Sequence, residues 1–467
     1  MSLNEYRYFD PNPKVRETAF ALYKSVKDLP IICPHGHVDP KILATNEPFP
    51  NPSELLIIPD HYIFRMFYSQ GIDLKKLGIP TIDGSEVEKD PRKIWKIFAD
   101  NYYLFPGTPT GAWMNHVLTE VFEIEDKLNS NTANSIYDAI QAKLNTPEFK
   151  PRTLFEKFNI EVLNTTDGAS DSLEYHKQIR ESGWDGRVVP CFRPDAAVNI
   201  LAADWKKEIE KLSEVSSIKI NNFSSFINAI ENRREFFKSM GAVSTDQGVF
   251  SSYTHRLSES EADAIFKRAL NGEATKEDNK LFTANMLMEM ARMSIDDGLV
   301  MQIHPGSFRN HNSVIFNQNG LDKGCDIPVQ TEYTNNLHEL LNTYGNNTKL
   351  KLIVFTLDES NYARELAPLA GHYPAMKLGP AWWFHDSIEG MTRYRQMVTG
   401  TAGFYNTVGF NDDTRAFLSI PARHDVARRV DSNYLAGLVE KHLIDKEEAV
   451  KLSYELANGL VKKAYNL

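Results

Sequence analysis

The chain has 467 residues, of which 52 are Lys or Arg and 62 are Asp or Glu, giving a net charge of -10. This acidic balance disfavours nucleic acid as the main partner, because phosphate binding requires a basic stripe. A hydrophobic content of 42% is sufficient for a large buried core.

Membrane and export segments are not expected. No stretch approaches the 18 apolar residues of a membrane span, and residues 1–10 contain no apolar segment typical of a signal peptide. The three cysteines, a sparse and odd number, indicate free thiols in a reducing compartment. We therefore expect a cytoplasmic protein with no membrane partner.

Short apolar runs recur along the chain and predict buried strands. The eight runs are 30–33, 160–164, 187–192, 242–244, 299–303, 351–355, 375–378 and 407–410. From the second run onward, helical segments such as 172–182, 223–240 and 276–296 separate the strands. Eight buried strands alternating with helices predict an α/β fold, specifically a (β/α)8 TIM barrel.

The connection between the first and second predicted strands is far longer than an ordinary loop. It contains helical patterns near 91–104, 111–125, 133–144 and 151–158. We predict a single barrel over residues 1–467, with residues 38–158 forming a helical insertion over one side of the barrel mouth.

Polar or aromatic residues follow nearly every predicted strand. Barrel enzymes place their active sites at this carboxyl end of the strands. The residues at these ends include His35, His37, Asp167, Arg193, Asp246, His304, Asp358, Trp382, Trp383, Asp413 and Arg415.

His35 and His37 are two positions apart beyond a strand, so their imidazoles can project to one side. Strands one and eight are neighbours in a closed barrel, which lets Asp413 face this pair. Two histidines and a carboxylate are suitable ligands for zinc or a similar cation. The alternatives are histidines in solvent or in the core, and an aspartate that caps the next helix; we expect Asp412 to cap.

Arg193, Arg309 and Arg415 lie in or near the loops that follow strands, in an otherwise acidic protein. Arginine binds carboxylates through two parallel hydrogen bonds, so three at one mouth indicate an acidic ligand. Surface salt bridges are the alternative for each. Trp382 and Trp383 could present an aromatic face to a sugar ring or could belong to the core. The roles of Asp246 and His304, catalytic or structural, are open at this point.

The His-x-His after the first strand and the Asp after the eighth resemble the amidohydrolase superfamily, and within it the uronate isomerases. The similarity extends from about Tyr8 to the C-terminus. The segments that carry it are 33–37, 192–195, 302–304, 308–310, 379–384 and 413–419, followed by Arg423-His424 and Arg428-Arg429.

The resemblance implies a barrel of the metal-dependent hydrolase type with one divalent metal, usually zinc, bound by His35, His37 and Asp413. It also implies active-site roles for a further set of residues: Tyr62, Arg193, Asp246, His304 and Arg415. Gln247 departs from the family pattern, in which a His follows the Asp. The modified Lys of two-metal relatives has no counterpart near Asp246.

The implied reaction interconverts D-glucuronate with D-fructuronate, and D-galacturonate with D-tagaturonate, by proton transfer between C2 and C1 through a cis-enediol. Asp413 is the candidate base, although tight metal binding would lower its basicity. Arg415, His35 and the metal would stabilise the enediolate.

The remaining roles concern the substrate. Arg193, with Arg309 as the next candidate, would bind the substrate carboxylate, and Trp382 and Trp383 would contact the sugar. The alternatives are a metal-dependent hydrolase that uses metal-bound water and a non-catalytic sugar-acid binding protein. We also expect a homo-oligomer.

Overall fold

The structure is a computed structural model that describes residues 3–467, so residues 1 and 2 of the segment searched for an export signal lie outside it. Its strands are short and mostly buried. In chain order they are β1 (Ile31–Cys33), β2 (Ile160–Asn164), β3 (Asp167–Gly168), β4 (Val188–Val189), β5 (Phe192–Arg193), β6 (Ser244–Val249), β7 (Val300–Pro305), β8 (Ser307–Phe308), β9 (Ile327–Pro328), β10 (Leu352–Val354) and β11 (Met376–Leu378).

The barrel strands pair in parallel and in chain order, while β8 and β9 form a separate antiparallel pair. One ladder is β1-β2-β4 and another is β3-β5-β6-β7-β10-β11. Hydrogen bonds of 3.0 Å from the Thr165 amide to the Val189 carbonyl and from the Asp167 amide to the Cys191 carbonyl join the two ladders. The α/β fold is therefore confirmed, with strands in the sequential order of a (β/α)8 barrel.

The first and last positions of the barrel are linked by few backbone bonds. Thr407 forms a single parallel bridge to Leu378 of β11. The amide of His37 donates to the carbonyl of Thr414 at 2.9 Å, which brings the segment after β1 beside the segment after the eighth position. This contact places the two halves of the predicted metal site next to each other.

Two strand predictions were inaccurate. The fourth strand is Ser244–Val249 and not 242–244; it includes Asp246 and Gln247, whose polar side chains find partners inside the barrel and so break the expected apolar pattern. The eighth, predicted as 407–410, is reduced to the bridge at Thr407. The remaining six predictions overlap the observed strands.

Helices surround the strands. They are α1 (Pro13–Val26), α2 (Pro40–Thr45), α3 (Pro52–Leu56), α4 (His61–Ser69), α5 (Pro91–Asp100), α6 (Pro109–His116), α7 (Ala133–Leu144), α8 (Pro151–Lys157), α9 (Glu174–Glu181), α10 (Asp195–Val198), α11 (Trp205–Ser216), α12 (Phe223–Ser239), α13 (Glu259–Asn271), α14 (Lys276–Asp297), α15 (Ser313–Asn319), α16 (His338–Tyr344), α17 (Ala367–His372), α18 (Ile388–Ala402), α19 (Ile420–Glu440), α20 (Lys446–Tyr454) and α21 (Leu460–Tyr465). Within residues 3–467, none of them combines the length and apolarity that crossing a bilayer demands.

Helices α2 to α8 lie between β1 and β2 and share an apolar core. Phe67, Trp95, Phe98 and Phe105 are almost fully buried in it, together with Ile31 of β1. Burying several large aromatic side chains contributes strongly to the stability of this region. The division of residues 1–467 into one barrel with an insertion at 38–158 stays a prediction.

Candidate active site

A cavity of about 430 Å³ opens at the carboxyl ends of the strands. Loops after the strands form most of its wall, and the rest comes from residues 59–65, at the start of α4, and from Arg423 of α19. Every site residue predicted from the sequence lines this cavity. They are His35, His37, Tyr62, Arg193, Asp246, His304, Arg309, Trp382, Trp383, Asp413 and Arg415.

His35, His37 and Asp413 converge on one point. The Nε2 atoms of His35 and His37 lie 3.4 and 3.1 Å from Oδ1 of Asp413. Ligands about 2.0–2.1 Å from a tetrahedral zinc would be about 3.3 Å apart, so the three side chains are spaced as metal ligands require. Oδ1 of Asp413 is buried and has no hydrogen-bond partner among the described residues. The set therefore fits a divalent cation.

The protonation states of this set also suit a metal. Burial lowers the pKa of His35 to about 4, against the opposing charges of Asp246 and Asp413. Burial opposes ionisation of Asp413, but the neighbouring imidazoles of His37, His35 and His304 hold the pKa of that carboxyl well below its usual range. A neutral imidazole and an ionised carboxylate are the forms that bind metal.

Asp412 does not cap the following helix, so that prediction was wrong. Its carboxylate is buried and accepts a hydrogen bond from Nε2 of His424 at 3.1 Å. Helix α19 begins at Ile420, with Ser419 before it and no side-chain cap. The backbone of Asp413 has a φ of 41°, a region that non-glycine residues rarely adopt. This turn directs Asp412 and Asp413 to different partners.

Asp246 is the centre of a buried charge network. Its carboxylate lies 3.1 Å from Nη1 of Arg193 and in close contact with Nδ1 of His304. Burial opposes ionisation of Asp246, but His304, Arg193 and His35 outweigh it and hold its pKa well below the ordinary value. Nε2 of His304 is buried and has no hydrogen-bond partner among the described residues. It is therefore available to form a hydrogen bond with a bound ligand.

Arg193 has a second carboxylate partner. Its Nε donates to Oδ2 of Asp195 at 2.7 Å, and the amide of Gly248 donates to both oxygens of Asp195 at 3.1 Å. A Cβ at Gly248 would lie 2.3 Å from Nη2 of Arg193, so only glycine leaves room for this arrangement. The guanidinium predicted to bind substrate is therefore already paired on two sides.

The aromatic candidates differ in exposure. Trp382 is buried and its Nε1 donates to the carbonyl of Thr356 at 3.1 Å. Trp383 is half-buried, with a φ of 54°, and its ring lies 5.0 Å from the guanidinium of Arg309. Trp382 thus belongs mainly to the cavity wall, whereas Trp383 can offer a ring face to a ligand.

Two predicted arginines lie at the outer rim. Arg309 pairs with Asp326 at 2.7 Å, and Arg415 pairs with Asp322 at 2.9 Å. Both aspartates belong to the segment between β8 and β9, which projects across the mouth. Arg415 and Asp322 are both exposed, so this pair can exchange partners at little free-energy cost, whereas Asp326 is buried.

Several cavity residues were missed by the sequence reasoning. Arg65 comes from α4 and Arg423 from α19, and Asp386, in the turn before α18, lies behind Arg423 as its partner. Arg423 donates to Asp386 at 3.1 Å, and its guanidinium carbon lies 3.6 Å from the ring centre of Trp113. The only signal was the Arg423-His424 pair within the segments shared with the uronate isomerases; nothing in the sequence pattern pointed to Arg65.

The fold and the cavity define an enzyme-like molecule: a parallel (β/α)8-type barrel with a candidate divalent-metal site and several arginines at its mouth. The sequence model of the glucuronate isomerase family matches residues 13–461. The chain therefore belongs to the glucuronate isomerase family.

Individual relatives agree with this assignment. The uronate isomerase of Mesorhizobium japonicum is 55% identical over 459 residues, which is 98% of each chain. The crystal structure of glucuronate isomerase from Caulobacter crescentus has a TM-score of 0.98 and 52% identity, over 100% of this chain and 97% of that one. The uronate isomerase structure from Thermotoga maritima has a TM-score of 0.92 and 28% identity, over 100% of both chains.

Proposed function

We propose that the chain interconverts D-glucuronate with D-fructuronate, and D-galacturonate with D-tagaturonate, in this cavity. The observation that carries the proposal is that all eleven predicted site residues line one cavity in a member of the glucuronate isomerase family. The reaction moves a proton between C2 and C1 through a cis-enediol, converting an aldehyde into a ketone without a net change in redox state.

We propose that His35, His37 and Asp413 hold one divalent cation, with zinc as the expected metal. The spacing of their ligand atoms and the unpartnered Oδ1 of Asp413 support this proposal. When bound, such a cation would stabilise negative charge on a substrate oxygen.

Proton transfer needs a base beside C2, and Asp413 is the proposed base. It is ionised and lies inside the cavity, so it can accept the C2 proton and return it at C1. Its low pKa makes it a weak base. The charge that develops on the enediolate must therefore be stabilised by other groups.

The proposed stabilising groups surround the same space. Arg415 can leave the exposed Asp322 to bind the enediolate, and Nε2 of His304 is free to contact a substrate hydroxyl. Asp246 keeps His304 oriented through its contact with Nδ1. Tyr62 lines the opposite wall, where burial raises the pKa of its hydroxyl well above the usual value and keeps it a hydrogen-bond donor.

The remaining predictions concern the setting of the enzyme. A cytoplasmic location and a homo-oligomer are retained as predictions, which cell fractionation and analytical ultracentrifugation would check. Arg309 and Trp383 are retained as substrate contacts at the rim, and Trp382 as a wall residue beside His304.

The test is turnover of D-glucuronate by the purified protein, followed by NMR detection of the ketose. We expect D-fructuronate to form, D-glucose to react far more slowly, and a metal chelator to reduce the rate. If no uronate yields a ketose in the presence of added zinc or another divalent cation, the proposal is wrong, and hydrolytic activity on amide and ester substrates would be examined instead.

A further inference from the structure

Five arginines line the cavity, and they differ in whether a carboxylate already binds them. Four of them have an acidic partner within 4.0 Å. These pairs are Arg193 with Asp195 and Asp246, Arg309 with Asp326, Arg415 with Asp322, and Arg423 with Asp386. Among residues 3–467, Arg65 has no carboxylate within that distance and no hydrogen-bond acceptor for its guanidinium.

Asp60 and Asp386, two acidic groups whose ionisation the charge of Arg65 favours, each accept a hydrogen bond from another residue. Asp60 caps α4 by accepting a hydrogen bond from the Tyr62 amide at 2.8 Å. Asp386 accepts from Arg423 at 3.1 Å. Arg65 is therefore a cation of the cavity that the protein itself leaves without a partner.

The side chain of Arg65 is nevertheless held in place. It projects from α4, whose other face is anchored by the buried Ile63, Phe64 and Phe67. Its guanidinium lies 5.6 Å from the ring centre of Tyr62 and 5.1 Å from that of Phe384. Stacking restrains the planar group but leaves the N–H donors at its edge free for an anion.

Gly324 confines the aliphatic part of Arg65 from the other side. A Cβ at Gly324 would lie 2.7 Å from Cβ of Arg65, so the backbone there packs directly against the side chain. Gly324 belongs to the segment between β8 and β9 that also carries Asp322 and Asp326. The position of Arg65 is thus set by the insertion and by the rim segment together.

A half-buried arginine without an anion has lost part of its hydration without gaining an ion pair. A ligand carboxylate would supply the missing partner through two charge-assisted hydrogen bonds. Arg193, the arginine that the sequence favoured for this role, already has two carboxylates and would need to exchange one of them. The cavity therefore offers a better-prepared carboxylate site at Arg65 than at Arg193.

We propose that Arg65 binds the carboxylate of the sugar-acid substrate and thereby sets the preference for a uronate over a neutral sugar. This inference rests on the proposed isomerase function. It also gives the insertion a direct part in substrate selection, since Arg65 lies on α4 while the metal-site residues follow barrel strands.

The test compares wild type with Arg65→Met, using two inert mimics of the open-chain substrate. L-gulonate retains the carboxylate but has an alcohol in place of the aldehyde, and D-glucitol lacks the carboxylate. In Arg65→Met we expect the KM for D-glucuronate and the inhibition constant of L-gulonate to rise about 10- to 100-fold. The inhibition constant of D-glucitol and the metal content should stay the same.

Matched variants make the result specific. Arg92→Met removes an exposed arginine of the same insertion, paired with Asp138, and should change neither constant. Arg65→Lys, which keeps the charge, should recover part of the affinity for L-gulonate. If Arg65→Met does not fold, Arg65→Gln removes the charge with a polar side chain and is read in the same way.

The outcomes separate the two proposals. Absence of ketose formation by wild type would contradict the proposed function. Normal turnover by wild type, with unchanged L-gulonate inhibition in Arg65→Met, would overturn the role of Arg65 alone. Equal weakening of L-gulonate and D-glucitol would also overturn it, because it would indicate general damage to the cavity. A selective loss in Arg193→Met instead would assign the carboxylate to Arg193.

Discussion

The two sides of the cavity are built differently. On the strand-end side, Asp246, His304 and His35 are 7% exposed or less, and the charge of Asp246 is matched by Arg193. On the rim side, Arg309 and Arg415 have side chains that are 46% and 42% exposed. The strand-end side is suited to fixing protonation states for chemistry, and the rim side to exchanging partners when a charged substrate enters.

Among substitutions on the strand-end side, we expect the largest loss of activity at the metal site. His37→Ala removes an imidazole whose Nε2 lies 3.1 Å from Oδ1 of Asp413. We expect bound metal to fall to a small fraction of the wild-type level and kcat/KM to fall at least about a hundredfold. Elemental analysis and turnover assays measure both. His372→Ala, at the exposed end of α17, is the control; unchanged metal content in His37→Ala would refute the ligand assignment.

The second prediction compares how much an arginine on each side of the cavity contributes to the free energy of unfolding. Arg193→Met leaves the buried carboxylate of Asp246 and the half-buried carboxylate of Asp195 near each other without their cation. Removing one partner of a buried pair typically costs about 3–5 kcal/mol, whereas Arg65→Met removes no ion pair and should cost less than about 1 kcal/mol. Urea unfolding of both variants measures this difference. If both variants lost the same unfolding free energy, the ion pairs of Arg193 would contribute no more to stability than the unpaired Arg65 does.

A smaller effect tests how closely the strand-end side is packed. Gly248→Ala would place a Cβ 2.7 Å from Oδ2 of Asp195 and closer still to Arg193. Because the φ of Gly248 is not positive, the penalty comes from this contact alone, about 1–3 kcal/mol. We expect kcat/KM to fall about tenfold. Gly168→Ala in β3, where a Cβ meets open space, should keep the wild-type kcat/KM. A similar loss in that variant would mean that the contact with Asp195 and Arg193 does not cause the effect of Gly248→Ala.

The smallest effect concerns a strand-end carboxyl outside the cavity. Burial raises the pKa of Asp167 to about 7, although Thr165 donates a hydrogen bond to it at 2.6 Å. The unfolded chain releases this proton near pH 4, so between about pH 4 and 7 the folded chain holds more protons. The contribution of Asp167 to the free energy of unfolding is therefore fully present below about pH 4 and is lost as the pH rises through 7.

Asp167→Asn removes this titration. The difference in unfolding free energy between wild type and variant should therefore change by no more than about 1.4 kcal/mol per pH unit over that range. Chemical unfolding at several pH values measures the difference. A difference that does not vary with pH would show that Asp167 ionises at its ordinary value.

The same contrast explains how much could be predicted from the sequence. His35, Asp246 and His304 follow or end apolar strands, and barrel geometry brings strand ends together, so their meeting followed from the strand order. Tyr62, Arg309 and the tryptophans came from the family resemblance or from their loops. The prediction of the fourth strand failed where polar residues entered it, at Asp246 and Gln247, because the partners of Asp246, which are Arg193 and His304, are distant in sequence.

Arg65 could not be predicted in this way. It lies on the short helix α4 between β1 and β2, and the amphipathic pattern of that helix shows only which face is buried. Whether Arg65 has an ionic partner depends on Asp386, Arg423 and the rim segment, which are hundreds of residues away. Only the folded arrangement shows that four arginines are paired and this one is not.

The central claim is that Asp413 transfers the substrate proton within the cavity. The most direct measurement compares turnover of D-glucuronate by wild type and Asp413→Asn, each assayed at a zinc concentration that gives equal metal content. We predict that the variant, which keeps an oxygen ligand but loses the basic carboxylate, is slower by about 10²- to 10⁴-fold in kcat. Equal kcat values at equal metal content would contradict the assignment of Asp413 as the base.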